Sequence, residues 1–365
     1  MSTQSDSSTG RAALLVEVWR GPLVESRHRG HLAAVDGSGE TVAELGSPEV
    51  VTFVRSSGKP FQAIPVVAFG AADRFGFTER EIAIACGSHS GEPIHVETVR
   101  SILDKIGLDE RALKCGVHEP FSAKVVRDLA RNQQPPGVLQ NNCSGKHAAM
   151  LALAKHLGAP IETYDQPANP VQQMIAEVFA NFAGVPLEKI AIGIDGCGVP
   201  VFGISVHVMA LMYARLVSPP PNFESSLRDA CARVVKAMID FPEMVGGTTD
   251  RLDTELIRAG AGRLISKIGA EGVYTVGVLP SKKWPRGLGF ALKVEDGDDH
   301  RARPPAVIEA LKQLDVLSPD DLDTLSAYSP IPITNRRGER VGETRAAFTL
   351  EIKAHPNQTR NDHPE

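Results

Sequence analysis

The sequence predicts a mixed α/β (α+β) fold, with one sheet assembled from strands at both ends of the chain and a helical lobe inserted between them. Three observations carry this expectation. Short β-like runs stand at 14–19, 31–35 and 50–54, and strands return at 273–279, 288–294 and 345–352. Between them, apolar residues recur at helical spacing. No internal repeat or low-complexity tract interrupts the 365 residues, enough to bury a full core.

Taken in order, Gly21-Pro22 breaks the chain after the first strand, and the run at 50–54 ends in Arg55-Ser56-Ser57-Gly58-Lys59-Pro60. A helix follows through Phe61, Ile64, Val67 and Ala68. Thr78 with Glu81 is a capping-box pair opening a short helix to about Ala85. A loop of small residues at 86–91 leads into an amphipathic helix at 93–106, opened by Pro93 and stopped by Gly107. A helix at 144–157 ends at Gly158, and Asn169-Pro170 starts another with the stripe Val171, Met174, Ile175, Val178, Phe179 and Phe182. A short strand at 190–194 feeds the turn Asp195-Gly196-Cys197-Gly198. Residues 219–221, all proline, read as a hinge or loop rather than a domain boundary, followed by a helix at about 223–239 and a Gly/Thr-rich loop at 246–249. The strands at 273–279 and 288–294 form a hairpin. The whole reads as a disordered tail at 1–10, one catalytic domain at 11–352 and a second disordered tail at 353–365.

Bulk numbers exclude several classes of function. The 39 basic and 44 acidic residues leave a net charge of -5, which offers nothing to nucleic acid or an anionic membrane. The apolar run at 201–217 is broken by Gly203, His207 and Arg215, so no membrane span is expected. The Ser/Thr-rich N-terminus lacks a secretory signal pattern, and the expected location is cytoplasmic. Five widely spaced cysteines do not make a disulfide framework.

Ser56 and Lys59 stand at i and i+3 at a helix start, on one face, so the amine can reach the hydroxyl. A helix N-terminus also favours negative charge on an attacking alkoxide. A lysine near its ordinary pKa of about 10.4 is protonated at neutral pH and is a poor base. Burial or a second cation close by must therefore drive it towards the neutral amine. The plainer alternative makes Lys59 solvated and Ser56 a cap, with Ser57 the better cap of the two. The loop Cys86-Gly87-Ser88-His89-Ser90-Gly91-Glu92 carries hydroxyls that can bind or attack a substrate; its plainer reading is a polar turn with Ser90 capping the following helix. Cys143 and Cys197, with one nitrogen from Lys146 or His147, have the makings of a three-ligand zinc site with an open fourth position; otherwise they are small buried hydrophobes. Cys86, Cys115 and Cys231 read as packing residues, and His95 and His156 as surface residues of helices.

Together, these segments resemble the asparaginase II family, the rhizobial-type asparaginases. The likeness runs from about Leu14 to Ile352. It includes Arg55 to Pro60, Cys86 to Glu92, Asn142-Cys143-Ser144-Gly145-Lys146-His147, Gly193-Ile194-Asp195-Gly196-Cys197 and Lys267-Ile268-Gly269-Ala270-Glu271-Gly272. The resemblance implies a serine β-lactamase/glutaminase-like fold, a mixed and mainly antiparallel sheet flanked by helices, in a homodimer. It implies two serine-lysine tandems, Ser56 with Lys59 and Ser88 with Lys267. It implies zinc held by Cys143, Lys146 and Cys197, and substrate contacts at Arg55, His147 and Asp195. The implied reaction is hydrolysis of L-asparagine to aspartate and ammonia by an acyl-enzyme route, with Ser56 attacking and Ser88 in reserve or relaying a proton to Lys267. The alternatives are a glutaminase, a penicillin-recognising acyl-enzyme, or a zinc-binding protein that holds an amino acid without hydrolysing it. Two departures from the family pattern are Asn169, where histidine is expected, and Gly198-Val199-Pro200 in place of Ser-Ala-Pro.

Overall fold

Ala13–Arg20 and Leu23–Asp36 pair antiparallel across the two-residue turn Gly21-Pro22, where Gly21 takes φ 53°, a conformation glycine adopts without strain. The second strand changes character along its length. Its first residues alternate in exposure, whereas 30–36 are buried throughout, as for a strand covered on both faces. The computed structural model describes residues 10–353, so the tails expected at 1–10 and 353–365 lie outside the described residues except for Gly10 and Lys353.

The chain divides into two compact units, one drawn from the residues up to Thr52, Ser205–Ser218 and the residues from Ala270 onward, the other from Phe53–Ile204 and Pro219–Gly269. In the first unit, the antiparallel strand order is Ile331–Thr334, Arg340–Ala346, Ala13–Arg20, Leu23–Asp36, Leu288–Val294, Val273–Val278, with Thr41–Leu45 also on Leu23–Asp36. The sheet is thus built from distant segments, as expected. Helix Val206–Val217 packs on Leu23–Asp36, Val273–Val278 and Leu288–Val294, and helix Arg303–Gln313 packs on the sheet as well.

In the second unit the helix Ser144–Leu157 is buried on all sides through Ala154, because its small and apolar residues let neighbours approach from every direction. Lys59–Ala68, Glu79–Ala85, Pro93–Lys105 and Pro170–Ala183 surround it. Phe61 meets Phe179 and Phe182 edge-on, with centroids 6.1 and 5.2 Å apart. The capping box forms: Glu81 N donates to Thr78 Oγ1 at 3.3 Å and Thr78 N donates to the Glu81 carboxylate at 2.6 Å. Ala191–Ile194 pairs antiparallel with Pro200–Ser205, and the turn between them carries Asp195 and Cys197. The strand Leu264–Ile268 lies against helices Leu252–Ala259 and Ser225–Asp240 and against the 3-10 turn Arg55–Gly58.

Several expectations need correction. The apolar run at 201–217 splits into a strand and a helix, with Ser205 Oγ accepting from Val208 N at 3.2 Å to cap the helix. The last strand is Arg340–Ala346, ending where 345–352 was expected to begin: Ala347 N still donates to Leu15 O on the neighbouring strand, but Leu350 N turns to the Gln313 side chain instead of continuing the ladder. Ser57 caps nothing and donates to Lys267 O at 3.1 Å; the helix Lys59–Ala68 is entered from the 3-10 turn through Gly58. Ser90 is not the cap of Pro93–Lys105 either, since Glu92 takes that place. His95 is fully buried rather than on the surface, its ring stacked on His89 at 4.9 Å. Among the described residues no helix is long and apolar enough to cross a membrane.

Close approach of helix and sheet in the first unit depends on Gly289, which faces Gly277 in the ladder. A Cβ there would lie 1.8 Å from Ala210 O and 2.5 Å from Ala214 N, both backbone atoms of helix Val206–Val217. Gly289→Ala is therefore expected to cost at least ~1–3 kcal/mol, as overpacking does. Urea denaturation of the variant against the parent measures it, and an unchanged midpoint would contradict this packing.

Candidate active site

Two buried helices bring their N-terminal ends together in the second unit. Lys59 opens Lys59–Ala68, and Cys143, Lys146 and His147 lie at the start of Ser144–Leu157. The Lys59 ammonium donates to Gly87 O at 2.7 Å, Ser88 Oγ at 3.0 Å and Asn142 O at 2.9 Å. Lys267, from the strand Leu264–Ile268, places its Nζ 2.9 Å from the same Ser88 Oγ and donates to Ile268 O at 3.0 Å. Ser88 thus sits between two lysines that are 208 positions apart in the chain, one 1% and the other 0% exposed. Its own N–H is fixed by Val245 O at 2.8 Å.

Burial is the main force on both amines, because it penalises the charged form. It lowers Lys59, with Lys146 adding repulsion and the Cys143 and Cys197 sulfurs opposing. It lowers Lys267 to about 7, with Lys59 and Arg251 pushing the same way and Asp253 opposing. Near neutral pH, Lys267 therefore has an accessible neutral form.

Ser56 lies half-buried in the 3-10 turn, and its hydroxyl has no hydrogen-bond partner among the described residues. The spacing argument expected Lys59 to reach it. Instead the amine is committed to three other oxygens, and the hydroxyl it meets is Ser88. Arg55, just before, takes φ 50°, uncommon for a residue with a Cβ, and its Nε donates to Asp195 Oδ1 at 2.9 Å. Burial pushes the Asp195 carboxyl up, but Lys146 and Arg55 outweigh it and hold it below its ordinary value.

The Cys143, Lys146 and Cys197 side chains are gathered as the metal reading expected. Lys146 Nζ donates to Cys197 Sγ at 3.1 Å. Cys143 and Lys146 together bring the Cys197 thiol down to about 5 against burial, while Cys197 and burial push the Cys143 thiol up to about 12. Burial works against the Lys146 ammonium, yet the two sulfurs and Asp195 hold it above its ordinary value. Among the described residues no three His, Cys, Asp or Glu side chains gather as a metal site. The trio of two sulfurs and an amine nevertheless fits a zinc ion in softness, burial and proximity, provided the Cys143 and Lys146 protons leave.

His147 is buried and driven down to about 3, first by burial and then by Lys146, so it is neutral. Its Nδ1 lies 2.7 Å from the Tyr164 hydroxyl, which itself accepts from Lys114 N at 2.9 Å and so donates to the ring. Nε2 then carries the hydrogen, and it has no partner among the described residues. A buried donor without an acceptor is a costly feature in a folded chain.

Other participants lie outside the motifs. Arg251 donates to Ser88 O at 2.8 Å and to Ser90 Oγ at 2.8 Å, tying down the loop that carries the shared hydroxyl. Asp253, two residues on, is buried 3.8 Å from Lys267 Nζ. Neither belongs to a spacing pattern, and the only signal was the Gly/Thr-rich loop just before them. His89 lies within the recognised loop; its Nδ1 accepts from Gly91 N at 3.2 Å and its Nε2 donates to Ser144 Oγ at 3.0 Å, which donates to Leu139 O at 2.8 Å.

Among solved structures, the chain is similar to Mglu in its tris and glutamate form at 14% identity and a TM-score of 0.44, covering 84% of this chain and 63% of that one, less than two thirds of its length. It is also similar to a probable glutaminase from Bacillus subtilis complexed with 6-diazo-5-oxo-L-norleucine, at 13% identity and a TM-score of 0.37, covering 79% of this chain and 85% of that one. No curated protein matches it. The family model for L-asparaginase II matches residues 16–346, nearly the whole chain, and with it all of the side chains just described. The chain therefore belongs to the L-asparaginase II family of amidohydrolases.

Proposed function

We propose that the protein hydrolyses the side-chain amide of L-asparagine, with Ser56 as nucleophile and Lys59, Ser88 and Lys267 as its proton relay. The observation that carries this reading is the single Ser88 hydroxyl 3.0 Å from one buried lysine and 2.9 Å from another. A nucleophile needs access, and a relay needs an unbroken buried chain. Ser88, 2% exposed and bonded on both sides, suits the second task, whereas the half-buried Ser56 with an unengaged hydroxyl suits the first.

The proton steps follow from the polarity of that chain. The neutral Lys267 amine takes the proton of Ser88 as Ser88 takes one from Lys59. Lys59, now neutral, exchanges one of its carbonyl partners for Ser56 Oγ when substrate binds; catalytic hydrogen bonds commonly tighten only in the complex. Ser56 gives its proton to Lys59 and attacks the amide carbon, and the C–N bond breaks as the relay returns a proton to the leaving nitrogen. Ammonia departs, and water hydrolyses the aspartyl ester to release aspartate and restore Ser56. The substrate's ammonium is complementary to Asp195 and its α-carboxylate to Arg55, a pair already facing each other at 2.9 Å. The unpartnered His147 Nε2–H supplies a further donor to a substrate oxygen. Cys143, Lys146 and Cys197 would hold a zinc ion, which would supply a fixed positive charge beside the Asp195 turn. The working form in this reading is a cytoplasmic homodimer.

Ammonia release from purified protein tests the reading. Turnover of asparagine is expected to exceed that of glutamine, with Ser56→Ala lowering kcat by at least ~10³-fold and Ser88→Ala by roughly 10²-fold or more, the range of lost proton transfer. A diazoketone analogue of asparagine should label the peptide that contains Ser56; a label on Ser88 would reassign the nucleophile. Because the relay needs Lys267 neutral, kcat/KM should fall as pH drops below about 7. A profile flat between pH 5 and about 7 would remove Lys267 from the relay. Metal analysis should find about one zinc per chain, lost in Cys197→Ser; zinc retained by that variant would place the metal elsewhere.

A further inference from the structure

Asp253 is a buried carboxylate that no step above uses. It lies in the first turn of the helix Leu252–Ala259, is 2% exposed, and neither of its carboxylate oxygens has a hydrogen-bond partner among the described residues. An ionised carboxylate in such surroundings is strongly disfavoured unless fixed charge compensates it. Two sources are present: the helix N-terminus, which favours an anion in its first turn, and Lys267 Nζ, 3.8 Å from Asp253 Oδ2. The spacing is held by the backbone, since Ser266 Oγ donates to Asp253 O at 3.2 Å from the position next to Lys267.

The distance matters as much as the charge. At 3.8 Å the carboxylate acts on the amine through its field without a hydrogen bond to it, while Ser88 Oγ and Ile268 O stand at 2.9 and 3.0 Å. The amine thus keeps its line to Ser88 while an anion stands behind it. The other charged or titratable groups facing Lys267 are Lys59, Arg251 and Cys143, together with Cys86, whose thiol burial pushes up to about 12 and so keeps uncharged. Lys59 and Arg251 both repel a proton on Lys267. Burial does the same, and Asp253 is first among the groups that oppose them, ahead of Cys143.

We infer that Asp253 is a positioning residue of the relay, a buried counter-ion that lets Lys267 accept and hold the proton given up by Ser88. The kinetic part of this inference rests on the hydrolase reading; the electrostatic part does not.

The test uses full-length protein labelled at lysine Nζ with nitrogen-15, the Lys267 signal being assigned by its absence in Lys267→Arg. In Asp253→Asn, the ionisation of Lys267 and the acid limb of kcat/KM for asparagine should move together to lower pH by about one unit or more. KM should change little. Asp253→Glu should recover at least half of the displacement. An unchanged Lys267 titration in Asp253→Asn overturns the inference, as does a loss of kcat with no movement of the limb, which marks a merely structural role. If Asp253→Asn does not fold, the parent protein decides: Lys267 should be an ammonium at pH 5.5, and an amine still neutral there overturns the inference. If the protein releases no ammonia from asparagine, the hydrolase reading fails while the nitrogen titration still tests Asp253.

Discussion

The burial of two lysine amines around one hydroxyl is the constraint on which the site depends. Taking an ammonium out of water costs several kcal/mol even after relaxation, and the chain does it twice in one small volume. The hydrogen bonding shows how this is tolerated. Lys59 meets three oxygens, two of them backbone carbonyls from separate loops, a geometry suited to a three-hydrogen donor. Lys267 lies against Ser88 Oγ and Ile268 O with a carboxylate 3.8 Å away. The difference in surroundings, not in residue type, separates the two lysines.

That arrangement asks a great deal of the helices that carry it. Lys59 can be placed so deeply because the helix behind it is buried from Lys59 through Val66, and Ser144–Leu157 is likewise enclosed. The two helices pack on each other, Phe61 packs on Phe179 and Phe182, and the loops at 86–91 and 246–249 are clamped by Arg251. Beside this lies a second charged set, alternating in sign: the Cys197 sulfur against Lys146, and Asp195 against Arg55. Cys143 links the two sets, since its sulfur acts electrostatically on Cys197, Lys146 and Lys59. A change in the charge of the sulfur cluster is therefore felt at the relay.

Much of this was legible in the sequence where local rules act. The Thr78–Glu81 capping box, the helix 144–157 ending at Gly158 and the helix begun by Asn169-Pro170 follow from capping and periodicity, and they appear at those places. The strand 345–352 was misplaced because its apolar residues follow the end of the ladder. The helix Val206–Val217 was hidden because a fully buried strand and a buried helix both read as one apolar run. At the site, the motifs singled out Ser56, Lys59, Ser88, Lys267, Cys143, Lys146 and Cys197, and the fold gathers the lysines on Ser88 and the sulfurs on Lys146. The resemblance paired Lys267 with Ser88, and these stand 2.9 Å apart, but that Lys59 meets Ser88 and not Ser56 was not legible. Spacing along a helix describes faces, whereas Lys59 turns to atoms from loops far away in sequence. Asp253 and Arg251 escaped notice for the same reason, since their roles exist only once the strand carrying Lys267 is in place.

Neutron diffraction from crystals soaked in heavy water at pD about 8 tests the central claim most directly, because it locates the protons on the two amines and on Ser88. The account predicts three deuterons on Lys59 Nζ, two on Lys267 Nζ, and the Ser88 deuteron lying towards Lys267. Three deuterons on both amines, with the Ser88 deuteron turned away from them, would contradict it.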